Sequence, residues 1–394
     1  MKRAKRTGAE RSDSRITTIA ASRRTFLASA ATLWGAGRLV DRAWGAPAVG
    51  NAAGNGNESE RAIVALYRSL DERQRREICF DWDHRVDIRY GRKPLTIPDP
   101  QGVLLRTHVA NAWLITPPLL GSEFYTDEQR ELVLAVMRTV VTPAWVELLQ
   151  RQGTVDSGKP WGGDQAVAIF GRPGAGVCQC VVTGFHLTLR ASSESNPRAA
   201  FDGPITHGHQ PSGFYEKVGH PGNIFWPQAL KANDLFQLLD VEQRATALQA
   251  TGLPYYQNDQ GIDRTNIVPN LSWDEPRRES DIRFRRSGSP LPGLPVVAMT
   301  NEQRQSLEGL LNKLIEPYRA AYQDQVLACL KKQGGLAACR LIYYRQRDLG
   351  NDGQWDNWRL EGPALTWFFR GSPHVHIWIH VASDPAAPMT SYFG

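Results

Sequence analysis

The chain has 394 residues, 41% hydrophobic and 22% charged, with 12 tryptophans and a formal net charge of +6. That length supports one large domain or two smaller ones around a sizeable core, and the composition is that of an ordinary globular protein. The positive charge is confined to the start. Residues 1–48 carry ten Lys and Arg against three Asp and Glu, which leaves −1 for the remainder and removes the electrostatic case for a nucleic-acid partner.

Those first 48 residues have the order of an export signal. A basic stretch precedes Arg23-Arg24, with Ser22 before the pair and Phe26 and Leu27 after it. A short run of Ala, Leu and Gly follows, and Ala46-Pro47-Ala48 offers small residues to a signal peptidase. The paired arginines make this a twin-arginine signal. The apolar run is too short to span a bilayer as a mature helix. The expectation is a signal peptide over 1–48, a Gly-, Asn- and Ala-rich linker over 49–58, and a single large domain over 59–394. The twin-arginine export machinery would deliver that domain to the periplasm or the medium, with no stable membrane insertion after cleavage.

Along the domain, Ser59 to Ile78 has helical spacing, with Ile63, Leu66, Tyr67 and Leu70 on one face. Asp127 to Gln150 is a strong amphipathic helix capped by Thr126. Two strands are expected over Gln165–Phe170 and Val177–Leu189, then a Gly-, Pro- and His-rich loop over Ala191–Phe225. Helices follow over Pro227–Leu238 and Val241–Ala250, and the Pro-, Asn- and Arg-rich stretch 253–297 reads as irregular. Asn301–Lys332 is a long amphipathic helix, and Arg340–Val381 reads as three strands with a polar turn at Asp348–Gln354. Helices and strands are segregated rather than alternating, which indicates an α+β fold with a largely antiparallel sheet flanked by amphipathic helices. No internal repeat is evident.

The five cysteines are Cys79, Cys178, Cys180, Cys329 and Cys339. Export permits disulfides, and Gly334-Gly335 would let Cys329 and Cys339 fold back on each other. Cys178 and Cys180 share one parity of a strand and read either as metal ligands or as small core residues.

The chemistry-bearing residues are the histidines. In Pro373–Val381, Val375, Ile377, Ile379 and Val381 fall on one parity, and His374, His376, Trp378 and His380 on the other. His374 and His376 are roughly 6.6 Å apart along a strand, so their rings can converge on one ion, whereas His380 lies roughly 13 Å further on. His186 lies in a second strand, and the loop between adds His207, His209 and His220. Imidazole is the commonest transition-metal ligand, and a His-rich set suits copper, iron or zinc. The same pattern also arises when histidines simply hydrogen-bond within a half-buried sheet. Glu216, Asp356 and Glu361 are candidate acid/base groups, with Arg190 and Arg370 as anion clamps, although each also reads as a structural ion pair. Trp355, Trp358, Trp367 and Trp378 would line a cleft or pack the sheet. No nucleophile elbow, phosphate loop, H-E-x-x-H, C-x-x-C or dinucleotide fingerprint is present.

The segments from Trp355 to Val381, Gly184 to Arg190, Phe201 to Ala229 and the helix pair ending Leu239–Leu248 resemble the bacterial family catalogued as domain of unknown function 3500. The likeness runs from about residue 60 to the C-terminus. It implies an exported or envelope protein without an assigned activity, and a Gly-x-His and a His-x-His that map here onto His186, His374 and His376, with Phe185 where relatives often carry Arg or His. The expected function is a metal-dependent enzyme outside the cytoplasm, oxidative first, with a hydrolytic version in which the metal activates water as the second form. Its ligands would be His186, His374 and His376, with His209 or His220 brought in by the loop. The alternatives are a non-catalytic envelope protein that binds a small molecule or glycan, and a metal store or chaperone.

Overall fold

The computed structural model describes residues 53–86, 89–90, 93–94, 103–109, 113–193, 198–209, 223–250, 284, 291–346, 348, 352–372 and 374–386. The expected signal peptide lies outside them. In chain order the elements begin with helices α1 (Ala53–Ser69) and α2 (Glu72–Ile78), then strands β1 (Cys79–Phe80), β2 (Arg85–Val86), β3 (Arg89–Tyr90), β4 (Lys93–Pro94) and β5 (Val103–Leu104). Helices α3 (Asp127–Val140) and α4 (Pro143–Ser157) lead into β6 (Ala166–Gly171), β7 (Cys178–Gly184), β8 (Leu187–Ser192) and β9 (Ile205–His209). Then come α5 (Trp226–Leu238), α6 (Val241–Ala247), β10 (Leu248–Gln249) and β11 (Leu294–Pro295). The chain closes with α7 (Asn301–Ile315), α8 (Ala320–Lys332), β12 (Arg340–Tyr344), β13 (Asn357–Gly362), β14 (Leu365–Arg370) and β15 (Val375–Val381). Helix α1 begins inside the stretch read as linker.

Local chemistry breaks three helices expected to be continuous. Ser59–Ile78 divides at Asp71, whose carboxylate accepts from Gln74 N at 2.7 Å while Gln74 Oε1 accepts from Asp71 N at 2.9 Å, a reciprocal cap that starts α2 afresh. Asp127–Gln150 divides because Pro143 opens α4, and a proline cannot supply the N–H that would continue α3. Asn301–Lys332 divides around Pro317 for the same reason. The strand expected over Val177–Leu189 is a hairpin. Gly184 pairs with Leu187, so Phe185 and His186 form a two-residue turn, with His186 at φ +61°. Cys178 and Cys180 therefore do not share a face with His186. They lie in the helix-side core with Leu187 and Leu189. The C-terminal region holds four strands rather than three.

The fold is α+β, with an 11-stranded, mostly antiparallel mixed sheet in the order β1-β6-β7-β8-β9-β15-β14-β13-β12-β10, and β11 paired to β12. One face packs beneath the helices. Val375, Ile377, Ile379 and Val381 belong to that core with Leu66, Val133, Leu235, Leu310 and Val326. All five cysteines are free, so the Cys329–Cys339 bridge is not formed. Burial pushes the Cys339 thiol up to about 12, which makes it inert. Among the described residues no helix is long and apolar enough to cross a membrane.

The architecture is a duplication, which corrects the absence of a repeat in the sequence reading. Order α1-α2-β1, α3-α4, β6-β7-β8-β9 recurs as α5-α6-β10, α7-α8, β12-β13-β14-β15. Both short strands, β1 and β10, pair parallel to the first strand of their own meander. Asp71 and Asp240 cap the second helix of each half, Thr126 and Thr300 the third, each through a Gln three residues on. Those glutamines exchange amide hydrogen bonds within each half, Gln74 with Gln129 at 2.9 Å and Gln243 with Gln303 at 2.7–3.0 Å.

The halves meet across a local two-fold. Counted from the β7–β8 and β13–β14 turns, Ile205 and Ile379 are equivalent, and they pair with each other in β9·β15. The helix junctions do likewise: Thr142 N donates to Pro317 O at 2.9 Å and Arg319 N donates to Val140 O at 2.8 Å.

Candidate metal centre

His186 meets the sequence-distant pair His374 and His376 at one end of the sheet, where the β7–β8 turn approaches the start of β15. His376 Nε2 lies 3.1 Å from His186 Nε2 and 2.6 Å from His374 Nε2. The three ligand atoms all fall within 4.8 Å of one another, and these side chains form a group that could hold a metal ion. His186 and His376 are buried, and His374 is the partly exposed member.

Proton counting tests the fit. His186 Nδ1 lies 2.7 Å from Asp156 Oδ2, with side-chain exposures of 1% and 0%. Donation to that carboxylate leaves the Nε2 of a neutral His186 as a bare lone pair. His376 Nε2 faces two neighbours with a single site: protonated, its one N–H cannot point at both nitrogens, and bare, its lone pair opposes that of His186. A cation at the centre replaces both contacts by bonds. Metal–imidazole bonds of about 2.0–2.1 Å in a tetrahedral set would hold nitrogens roughly 3.3 Å apart, so the 3.1 Å pair is near that spacing and the 2.6 Å pair would have to open.

The surroundings hold this arrangement. Asp156, near the end of α4, also accepts from Gln152 Nε2 at 2.7 Å, one helical turn earlier. Carboxylate-to-imidazole bonding of this type fixes the ring's orientation and tautomer. Asp164 accepts from the Phe185 backbone N–H, gripping the turn itself. Burial pushes its carboxyl up, the bonds from Phe185 and Gln165 pull it down, and the charge of Asp156 raises it. Gly208, the register partner of His376, leaves room for the His186 ring. A Cβ there would come 3.1 Å from His186 Cδ2 and 2.3 Å from Val375 O.

The duplication supplies a built-in control. His186 corresponds to Ala364 in the β13–β14 turn, and Gly208 to Ala382. The place of His376, opposite Gly208, is taken by Ala199, which bridges to Ala382 and is set off from β9 by the three-residue turn Ala200–Asp202, not present before Ile379. Asp156 and Gln333 stand at the same distance from their helix caps, Thr142 and Arg319. In this second corner the three alanines pack together against Phe284. Gln333 Oε1 accepts from Ala364 N at 2.8 Å, and its Nε2 donates to Ala382 O at 2.9 Å. The fold thus closes this corner with alanines in the places of His186 and His376, under a Phe284 that stacks on His380, so packing alone does not demand imidazoles at those two places. His186 also holds a left-handed backbone that Ala364 does not, and such strain in a non-glycine residue concentrates at functional sites.

The remaining candidates fall elsewhere. His209 pairs with Val375, which puts it on the helix-side face, opposite His376. His220 and Glu216 lie outside the described residues. His380 stacks on Phe284 with ring centroids 4.1 Å apart. Arg190 is a strut: its Nε donates to Pro204 O at 2.7 Å, and its other nitrogens donate to the carbonyls of Arg106 and His108. Arg359 pairs with Glu361 at 3.4 Å, both buried. Asp356 is buried, its backbone N–H held by Asp348. Trp358, Trp367 and Trp378 are at most 1% exposed and act as packing residues. Asp156 had no signal in the sequence, since an Asp near a helix end reads as a surface residue.

His207 sits on the helix-side face, with Nε2 3.0 Å from Tyr318 Oη. Burial lowers its pKa from 6.5 to about 4. The unfolded chain therefore takes up this proton first, and stability is lost as pH falls from 6.5 through 4. His108 shifts in the same direction, by burial and then by the charge of Arg190. Thermal unfolding scanned across that range should show a falling midpoint, and the fall should be shallower in His207→Phe. An equal slope in both would show that His207 is not a source of the acid sensitivity.

A family model described as a protein of unknown function, DUF3500, matches residues 55–377. The chain belongs to the DUF3500 family. The match takes in both halves of the duplication, with the turn histidine His186 and the pair His374 and His376. No curated protein and no solved structure matches this DUF3500 protein.

Proposed function

We propose that this DUF3500 protein is a metal-dependent enzyme that works outside the cytoplasm, with His186, His374 and His376 as the protein ligands of a copper, iron or zinc ion. The observation that carries the reading is the convergence of three imidazole nitrogens, one backed by a buried carboxylate, at a corner whose structural counterpart is built from alanines. Three ligands leave coordination positions open, the arrangement of catalytic rather than closed structural sites. When bound, a transition ion supplies Lewis acidity or redox capacity, oxidative for copper or iron and hydrolytic for zinc. The protein's own part is positional. Gln152 orients Asp156, Asp156 holds His186 with Nε2 inward, Asp164 fixes the turn, and partly exposed His374 marks the side from which a substrate enters. The twin-arginine motif of Arg23 and Arg24 supports delivery by a route that carries folded, cofactor-loaded proteins.

Elemental analysis of natively exported protein, beside a His374→Ala/His376→Ala double variant, tests this. The expected result is about one ion per chain in the parent and none in a double variant that keeps its fold. A folded parent that takes up none of the three metals when they are supplied would overturn the proposal.

A further inference from the structure

We infer that a second binding site, separate from the metal centre and independent of that reading, lies between α6 and the end of β12, and that it takes a small organic anion with an apolar body. A cleft of about 390 Å³ opens there, lined by Phe236, Arg244, Ala245, Leu248, Ala250 and Arg345. Volumes of this order hold small ligands. Strand β10, which contributes Leu248, stands four places from β15 in the sheet, roughly 19 Å at 4.8 Å per strand.

The lining has two cations and no acid. Arg244 comes from α6, and its Cζ lies 5.5 Å from the centroid of the Phe236 ring. Its Nη2 donates to Gln237 O at 2.6 Å, whereas its Nε is buried without an acceptor. Arg345 comes from the sheet and is exposed. It directly follows β12, where its N–H donates to Gln249 O at 2.9 Å, and it has the parity of Tyr343, whose ring packs edge-on against Phe236. Among the described residues neither arginine makes an ion pair.

The duplication again provides the contrast. The first half places Tyr67, Arg75, Arg76, Cys79 and Asp81 where this cleft has Phe236, Arg244, Ala245, Leu248 and Ala250, and Gly171 where it has Arg345. There Arg75 commits two nitrogens to the end of α1, Nε to Tyr67 O at 3.3 Å and Nη2 to Arg68 O at 3.5 Å, and Arg76 pairs with Glu72 at 3.8 Å. Gly171 has no room for a side chain, since a Cβ would run into Val177 O. The second half therefore lacks the acid at the place of Ala250, has a small residue at that of Arg76, and brings in a second guanidinium. The planar fork of arginine matches the paired oxygens of a carboxylate or phosphate. Phe236, Leu248 and the two alanines suit an apolar body.

Ligand-observed fluorine NMR on the full chain tests this, with fluorobenzoate and neutral fluorobenzamide as probes of one shape. The benzoate should bind saturably and about tenfold or more tightly than the benzamide, with its affinity unchanged in the His374→Ala/His376→Ala double variant. Arg244→Gln and Arg345→Gln should each weaken it about tenfold. Ala250→Asp, which restores the acid of the other half at an exposed position, should abolish binding with the thermal midpoint unchanged. Competition by phenyl phosphate against benzoate tells a phosphate ester from a carboxylate, and displacement by either upholds the site. No saturable binding, equal binding of the two probes, loss of binding in the double-histidine variant, or unaltered affinity in Arg345→Gln and Ala250→Asp would overturn the inference. If Arg244→Gln fails to fold by circular dichroism, those two variants at exposed positions decide it.

Discussion

Asp156→Asn is expected to lower metal affinity about 10- to 100-fold while the protein stays folded. The Asp156 side chain is fully buried, and its contact with His186 Nδ1 is 2.7 Å. As a carboxylate it can only accept, which forces the His186 proton onto Nδ1 and the lone pair onto Nε2, toward the other two imidazoles. An asparagine can turn its NH2 toward His186 instead, and then Nε2 carries the proton and cannot bind an ion. The charge that would stabilise a cation beyond the ring is lost as well. Folding should survive because the counterpart corner closes around a neutral amide, Gln333, bonded to Ala364 and Ala382. Competition against a chelator of known affinity measures the effect, with a urea melt of the metal-free protein as the control for folding. An affinity equal to that of the parent would mean that Asp156 does not set the state of His186.

Gly208→Ala should destabilise the protein by roughly 1–3 kcal/mol, the range for overpacking a filled site, and should abolish metal binding. The added methyl meets Val375 O at 2.3 Å and two atoms of the His186 ring at 3.1 and 3.3 Å. The carbonyl is fixed by the β9·β15 ladder, so either the strands part or His186 leaves its place. The equivalent residue of the other half is already alanine, Ala382, facing Ala364 rather than an imidazole. Room at Gly208 is thus tied to the histidine in particular. A urea midpoint and a metal stoichiometry both unchanged from the parent would contradict this.

The sequence carried the α+β class, because the amphipathic helices and alternating strands each announce their period. It carried His374 and His376 for the same reason, since alternation in β15 separates Val375 and Ile377 from the imidazoles. His186 was legible as a residue but not as a geometry, because nothing in Cys178–Leu189 signals that the chain reverses at Phe185. That reversal is what brings His186 round to His376. Asp156 was hidden by distance along the chain and by its ordinary place near a helix end. Proline breaks at Pro143 and Pro317 were overridden in the reading by strong helical periodicity on both sides. The duplication left two short traces, Leu70–Arg75 against Leu239–Arg244 and Thr126–Arg130 against Thr300–Arg304. Capping chemistry preserves these, while the intervening core positions accept any apolar residue of suitable volume and so have diverged. His209 illustrates the converse: it sits close to the cluster in sequence pattern, yet the pleat turns it to the other face.

The central claim is that one ion is held by three imidazoles at this corner. X-ray absorption spectroscopy on natively exported, metal-bound protein addresses that most directly. The expected spectrum shows nitrogen or oxygen neighbours at about 2.0–2.1 Å, with the outer-shell scattering of three imidazole rings, no sulfur, and loss of the signal in His186→Ala. A shell containing sulfur, fewer than three imidazoles, or a spectrum unchanged by His186→Ala would contradict it.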